Sequence, residues 1–220
     1  MQEASARRGS RPSPAGIWQA CGARESASVD PRPPCGYMPG MVQSVQPAML
    51  PILIAPDTRL KTRARPVAPA DGDAVRALLP KMFATMYDAP GIGLAAPQVG
   101  QLLRVAVIDL MPDDKKVPIA LINPEIVAAS EELTTREEGC LSLPGQYADV
   151  TRPAQVKIRY FDPVGARQEI EADGLLAACL QHEIDHLDGV LFIDHISALK
   201  RNMILRRLAK ERRQAKDQAR

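Results

Sequence analysis

Between residues 73 and 87 the apolar positions Val75, Leu78, Leu79, Met82, Phe83, Met86 and Tyr87 recur at spacings of three and four, which predicts an amphipathic helix. Pro80 falls inside that pattern. Proline removes one helix hydrogen bond, so the pattern predicts either a kink there or a helix that starts later. Farther along, residues 104–109 (RVAVID), 119–123 (IALIN), 155–160 (QVKIRY) and 168–172 are short runs bounded by Pro, Asp and Gly, and they predict strands. A second helix is predicted over 175–187. A third starts at Ser197 as N-cap, with Leu199, Met203, Ile204 and Leu208 in helical register. There are no internal repeats. A block of strands between helices, without regular βαβ alternation, predicts an α+β fold: short mixed or antiparallel sheets packed around the central helix, with an N-terminal helix and a basic C-terminal one.

Composition narrows the class. Apolar residues make up 45% and charged residues 25% of the 220-residue chain, close to globular averages. No apolar run approaches the roughly 18 residues that suggest a membrane span. The cysteines, Cys21, Cys35, Cys140 and Cys179, are too few and scattered for a disulfide scaffold, and no secretory signal is evident. A cytoplasmic, reducing compartment is expected, with organelle targeting by residues 1–48 as the alternative.

The net charge of +2 averages three unlike pieces. Residues 1–48 carry five Arg against three acids and hold seven of the 20 prolines and five of the 14 glycines, without apolar period, and read as disordered. Three explanations are open: a start codon assigned too early, with Met41 or Met49 the true start; a transit peptide; or a flexible extension. Glu3, Glu25, Asp30 and the many prolines fit a transit peptide poorly, so the first is favoured. Residues 49–198 carry fourteen basic against twenty-one acidic residues and form the expected catalytic domain. Residues 199–220 carry nine Lys/Arg against two acids, a basic helix or tail.

Two of the three histidines lie in Gln181-His182-Glu183-Ile184-Asp185-His186, an HExxH arrangement on the second predicted helix. Positions four apart lie ~40° apart around a helix and one turn along it, so both imidazoles reach one metal ion. Glu183 then stands where it accepts a proton from water. The alternative is a solvated helix face that happens to match a short pattern. A catalytic site of this kind needs a third protein ligand. Downstream candidates are poor: the position six residues past His186 is Phe192, His195 reads as a structural or surface histidine, and the remaining acids, Glu211 and Asp217, lie in the basic tail.

Upstream, Glu137-Glu138-Gly139-Cys140-Leu141-Ser142-Leu143-Pro144-Gly145 changes the picture. EGCLS, HEIDH and the earlier GIGLAAPQ at residues 91–98 together resemble the three signature motifs of the peptide deformylases, in that family's order, with likeness from about residue 49 to about 213. The resemblance implies a hydrolase that removes the formyl group from the N-terminal formylmethionine of newly made proteins and releases formate. It implies Cys140, His182 and His186 as ligands of one divalent metal, with Fe2+ the family's preferred ion and Zn2+, Ni2+ or Co2+ as substitutes; the ligand set itself suits iron and zinc alike. Glu183 would move the proton, while the Gln98 amide and the Leu141 N–H would donate to the oxyanion. Ile92, Gly93, Gly139 and Cys179 would bind substrate.

Glu138 adds like charge two residues from a metal thiolate and therefore needs a cation. The resemblance suggests Arg152, bracing the Cys140 loop; a solvated Glu138 is the other reading. The expected partners are N-formylmethionyl nascent polypeptides and no membrane or DNA. For the basic tail two readings stand open: contact with ribosomal RNA through Lys200, Arg201, Arg206, Arg207, Lys210, Arg212 and Arg213, or a solvated helix face. A zincin-type endopeptidase and a catalytically dead binding module are the competing function classes.

Overall fold

The run Val105-Ala106-Val107-Ile108 is apolar at four consecutive positions, as a strand must be when both of its faces are covered. In the computed structural model, which describes residues 47–218, that run is strand β2 (Val105–Ile108) near the middle of a sheet. Nearly all of the N-terminal extension expected over 1–48 lies outside the described residues. The sheet comprises β1 (Gly93–Ala95), β2, β3 (Ile119–Ala129), β6 (Gln155–Phe161) and β7 (Arg167–Asp173), in the order β1-β2-β3-β6-β7. Every strand pairing in it is antiparallel, and an isolated bridge from Arg65 to Leu103 is the parallel exception among the described residues. Strands β4 (Leu133–Cys140) and β5 (Leu143–Pro153) form a separate two-stranded ribbon.

Alternation along β2 sends its side chains to two different cores. Val105 and Val107 face helix α1 (Gly72–Asp88), whose Val75, Leu79, Met82 and Met86 are buried against them. Burying each of these helix side chains is worth ~1.5–3 kcal/mol before the entropy of ordering is subtracted. Ala106 and Ile108 face helix α2 (Gly174–Leu187), where Ala177, Leu180, Ile184 and Leu187 present a continuous apolar stripe. The sheet is thus sandwiched between the two helices. Helix α1 runs without interruption from Gly72 through Pro80, so the later start is not realised. Pro80 is exposed, as is Arg76, the residue whose carbonyl it leaves without a helix donor.

Where α2 ends is set by Gly189. Its φ of 75° is left-handed, the Gly189 N–H donates to the His186 carbonyl at 3.2 Å, and the Val190 N–H donates to the Asp185 carbonyl at 2.8 Å. A Cβ at this position would also stand 2.7 Å from the Lys61 carbonyl oxygen, so only glycine closes this helix here.

A third core lies under the ribbon. Leu143 and Val150 of β5 pack with Leu191, Phe192 and Ile193, which follow α2, and with Ile204 and Leu208 of helix α3 (Ala198–Gln218). At the start of α3 the Lys200 N–H lies 3.4 Å from the Ser197 hydroxyl, and the Arg201 N–H donates to the Ser197 carbonyl at 3.0 Å. The basic helix is therefore amphipathic, with a buried apolar seam and an exposed cationic face.

Candidate metal centre

Helix α2 and the end of β4 meet at one point. The ligand atoms of Cys140, His182 and His186 all lie within 4.8 Å of one another, the one such group found among the described residues. Cys140 sits half-buried at the last position of β4, where the pairing shifts register between Gly139 and Cys140 and turns the thiol inward. Its Sγ lies 3.2 Å from His186 Nε2. The two imidazole rings stand edge to face at 4.9 Å between centroids.

His182 is held from behind. Glu138 accepts from His182 Nδ1 at 2.9 Å, so the His182 Nε2 lone pair is directed away from that carboxylate and available to a cation. Arg152 forks onto Glu138, Nε at 2.6 Å and Nη2 at 3.1 Å, and its Nη1 donates to Asp185 at 2.7 Å. Asp185 also accepts from His195 Nε2 at 2.7 Å. Glu138 and Arg152 are 8% and 5% exposed, an ion pair out of reach of solvent screening. Although burial pushes the Glu138 carboxyl up, His182 and Arg152 overcome it and hold the pKa at about 2.

Two buried side-chain polar atoms among the described residues have no hydrogen-bond partner, Glu183 Oε2 and His186 Nδ1. Burial raises the Glu183 pKa to about 7, His182 opposing and Glu138 and Asp185 assisting. Burial also lowers His186 well below the usual imidazole range, whereas the Cys140 thiol and the Glu138 carboxylate drive His182 well above it against the same penalty. A cysteine sulfur and two imidazoles converging in a buried site, with an orphaned carboxylate oxygen beside them, make a donor set that fits a divalent metal.

Gln98 lies in the turn Ala96–Val99 that follows β1. Its Oε1 accepts from the Ala95 N–H at 2.8 Å, which fixes the amide so that Nε2 points to Ser142 Oγ at 3.2 Å and to Cys140 Sγ at 3.5 Å. Across from it a cleft of about 620 Å3 opens on the triad, its wall including Ile92, Gly93, Gly139, Leu141 and Cys179. Gly93 is required by proximity: a Cβ there would overlap the Glu183 carboxylate and stand 3.0 Å from Cys179 Sγ. Gly139 plays a similar part for Tyr147, whose ring would be 2.5 Å from a Cβ at that position. Ile92 is fixed by its carbonyl, which accepts from the Asp109 N–H at 2.9 Å.

All twelve residues singled out from the sequence thus gather around one cleft and its backing. Others were not singled out. Ser142 takes the Gln98 amide, Asp185 takes Arg152, and Leu175, Arg136 and Tyr147 line the cleft. Asp185 is a variable position of the HExxH pattern, and no spacing rule marks it. Leu175 and Tyr147 leave apolar surface open beside the cleft, a feature that only the folded structure reveals.

Comparison with known proteins bears on this cleft. A family model described as Polypeptide deformylase matches residues 49–202. The chain is 59% identical to a peptide deformylase of Methylocella silvestris over 164 residues, 73% of this chain and 83% of that relative. It is similar to the crystal structure of a peptide deformylase from Legionella pneumophila, with a TM-score of 0.72 at 49% identity, covering 79% of this chain and 99% of that one. A peptide deformylase from Synechococcus elongatus, solved in complex with actinonin, gives 0.68 at 45% identity, covering 74% and 89% respectively.

Proposed function

The chain belongs to the polypeptide deformylase family, an assignment from which we propose how its residues divide the work of removing the formyl group from newly made proteins. The observation that supports this reading most is the buried Glu183 carboxylate, with one unpartnered oxygen, beside three converging metal-ligating atoms on the floor of a partly apolar cleft. Cys140, His182 and His186 would hold a divalent cation, which would supply Lewis-acid activation of water. Glu183 accepts the water's proton at Oε2 as the water oxygen bonds to the formyl carbon, and delivers it to the amine as the carbon–nitrogen bond breaks and formate is left. Gln98 Nε2 and the Leu141 N–H donate to the oxygen as it becomes negative, each worth ~3–4 kcal/mol where such donors have been measured. The 3.5 Å contact from Gln98 to sulfur is the long one of its two and is the one given up for this purpose.

Ile92 and Cys179 form the apolar seat of the methionine side chain, and the backbones of Gly93 and Gly139 flank the extended peptide. Glu138 and Arg152 keep His182 in the tautomer that binds metal. Ferrous iron is the resident ion, and metal analysis of protein purified without oxygen tests this; zinc alone at full occupancy with full activity would refute it.

The enzyme works in the cytoplasm and meets its substrates at the ribosome, through the exposed Lys200, Arg206, Arg207, Lys210, Arg212 and Arg213 of α3. Because Ile204 and Leu208 of the same helix are buried, that contact is tested by neutralising the basic side chains and not by truncation. Ribosome co-sedimentation unchanged in such a variant would discard the contact. For the catalytic assignment, Glu183→Gln should retain metal and lose formate release; full activity would refute it.

A further inference from the structure

His195 lies nine residues past the metal helix's last ligand and a third of its side chain is exposed, yet its Nε2 reaches Asp185 Oδ2 at 2.7 Å. The same oxygen accepts from Arg152 Nη1 at 2.7 Å. The remaining arms of Arg152 grip Glu138, and Glu138 accepts from His182 Nδ1. A continuous chain of charge-assisted bonds therefore runs from His195 through Asp185, Arg152 and Glu138 to a ring of the triad. It crosses four segments: β4, β5, α2 and the turn after α2. A carboxylate only accepts, so His195 Nε2 carries the hydrogen in this contact whatever the state of the ring's other nitrogen.

The segment that carries His195 is itself anchored. It follows the turn Phe192–Asp194, whose Phe192 is buried in the third core and stacks on the His182 ring at 6.4 Å between centroids, 21° from parallel. The turn thus touches the metal helix at two points, by packing at His182 and by a hydrogen bond at Asp185. Without the donor at His195, Asp185 keeps one directional partner, and Arg152 loses the rigidity of its far anchor.

We propose that His195 is a positioning residue for the metal centre, holding His182 in its ligating orientation through Asp185, Arg152 and Glu138. The proposal rests on the reading of Cys140, His182 and His186 as metal ligands and extends it to a residue that touches neither metal nor substrate. Groups bonded directly to metal-ligating side chains alter affinity about 10–100-fold when removed; three bonds further out, roughly threefold to tenfold is expected.

The test uses the full-length protein loaded with Co2+, whose visible spectrum reports ligand geometry, with release of the ion to a chelator as the rate measured. His195→Ala and His195→Phe should each release cobalt roughly threefold to tenfold faster than wild type and shift the visible bands, with unfolding of the metal-free protein little changed. His195→Gln, which retains a donor, should restore both. Wild-type rates and spectra in both donorless variants would overturn the proposal. So would restoration by Phe and not by Gln, which would make packing the cause. A wild-type protein that shows no thiolate-to-cobalt band would overturn the metal reading beneath it, and the proposal with it.

Discussion

Replacing Arg152 by methionine removes a buried guanidinium and fills much of its volume with an apolar chain. In the native protein all three of its guanidinium nitrogens bond to carboxylates, two to Glu138 and one to Asp185. Glu138 is only 8% exposed, and without the guanidinium its charge is left with His182 as sole partner. Removing one member of a buried pair costs about 3–5 kcal/mol, because the other is stranded. The pKa of Glu138 points the same way: His182 and Arg152 together hold it down, from an ordinary 4.5 to about 2, against the penalty of burial.

The sign follows from linkage. The folded value lies below the unfolded one, so this stabilisation is fully present above 4.5 and is lost as pH falls toward about 2. In the Arg152→Met protein burial raises the same carboxyl, so acid neutralises the stranded charge and relieves the defect. Urea unfolding of metal-free protein should therefore show the variant about 3–5 kcal/mol less stable near neutral pH. The gap should begin to narrow as acid neutralises the raised carboxyl of the variant, above pH 4.5, and narrow further below 4.5 as the native pairing is lost. A gap under about 1 kcal/mol at neutral pH, or one that stays constant into acid, would refute the reasoning.

Glu183→Gln should lower the turnover number about 10²–10⁴-fold with metal content unchanged by elemental analysis. Since Glu183 must be ionised to accept a proton, kcat/KM should fall on the acid side of its pKa; that value is about 7 without a cation, and a bound dication lowers it, so the acidic limb belongs at or below about 7. Gly93→Ala introduces a Cβ into the space of the Glu183 carboxylate, and a misplacement of this kind should reduce kcat/KM on the order of 100-fold while the urea midpoint changes far less. Phe192→Ala opens the third core beneath the ribbon and beside His182, and should cost about 3–5 kcal/mol in unfolding and accelerate metal loss.

The sequence carried the two helices on the sheet and four of its five strands because their apolar residues repeat at the helical period or cluster between breakers. Strand β1 is three residues long, too short to show any period. The ribbon was illegible for a different reason. In β4 and β5 the side chains turned inward include Glu138 and Arg152, so charge occupies positions where a strand pattern requires apolar residues. The two residues that disguise the ribbon are the ones that support the site. Of the two outcomes that Pro80 suggested, the later start is not realised, since α1 already runs from Gly72, and Pro80 itself lies on an exposed helix face.

Spacing on one helix made His182, His186 and Glu183 legible, whereas Cys140, far upstream, was legible only through the resemblance of EGCLS to a family motif. Asp185 and His195 were beyond that reach. Their roles depend on a contact across ten residues and a tight turn, set by the left-handed Gly189 and the burial of Phe192, which no local pattern encodes.

The central claim, that Cys140, His182 and His186 hold the metal on which deformylation depends, is tested most directly by titrating metal-stripped protein with Fe2+ without oxygen and following formate release from formyl-Met-Ala-Ser. Release should rise linearly and level off at one ion per chain, and Cys140→Ser should abolish that saturable rise. Formate release from the stripped protein, or a Cys140→Ser variant that titrates like wild type, would contradict it.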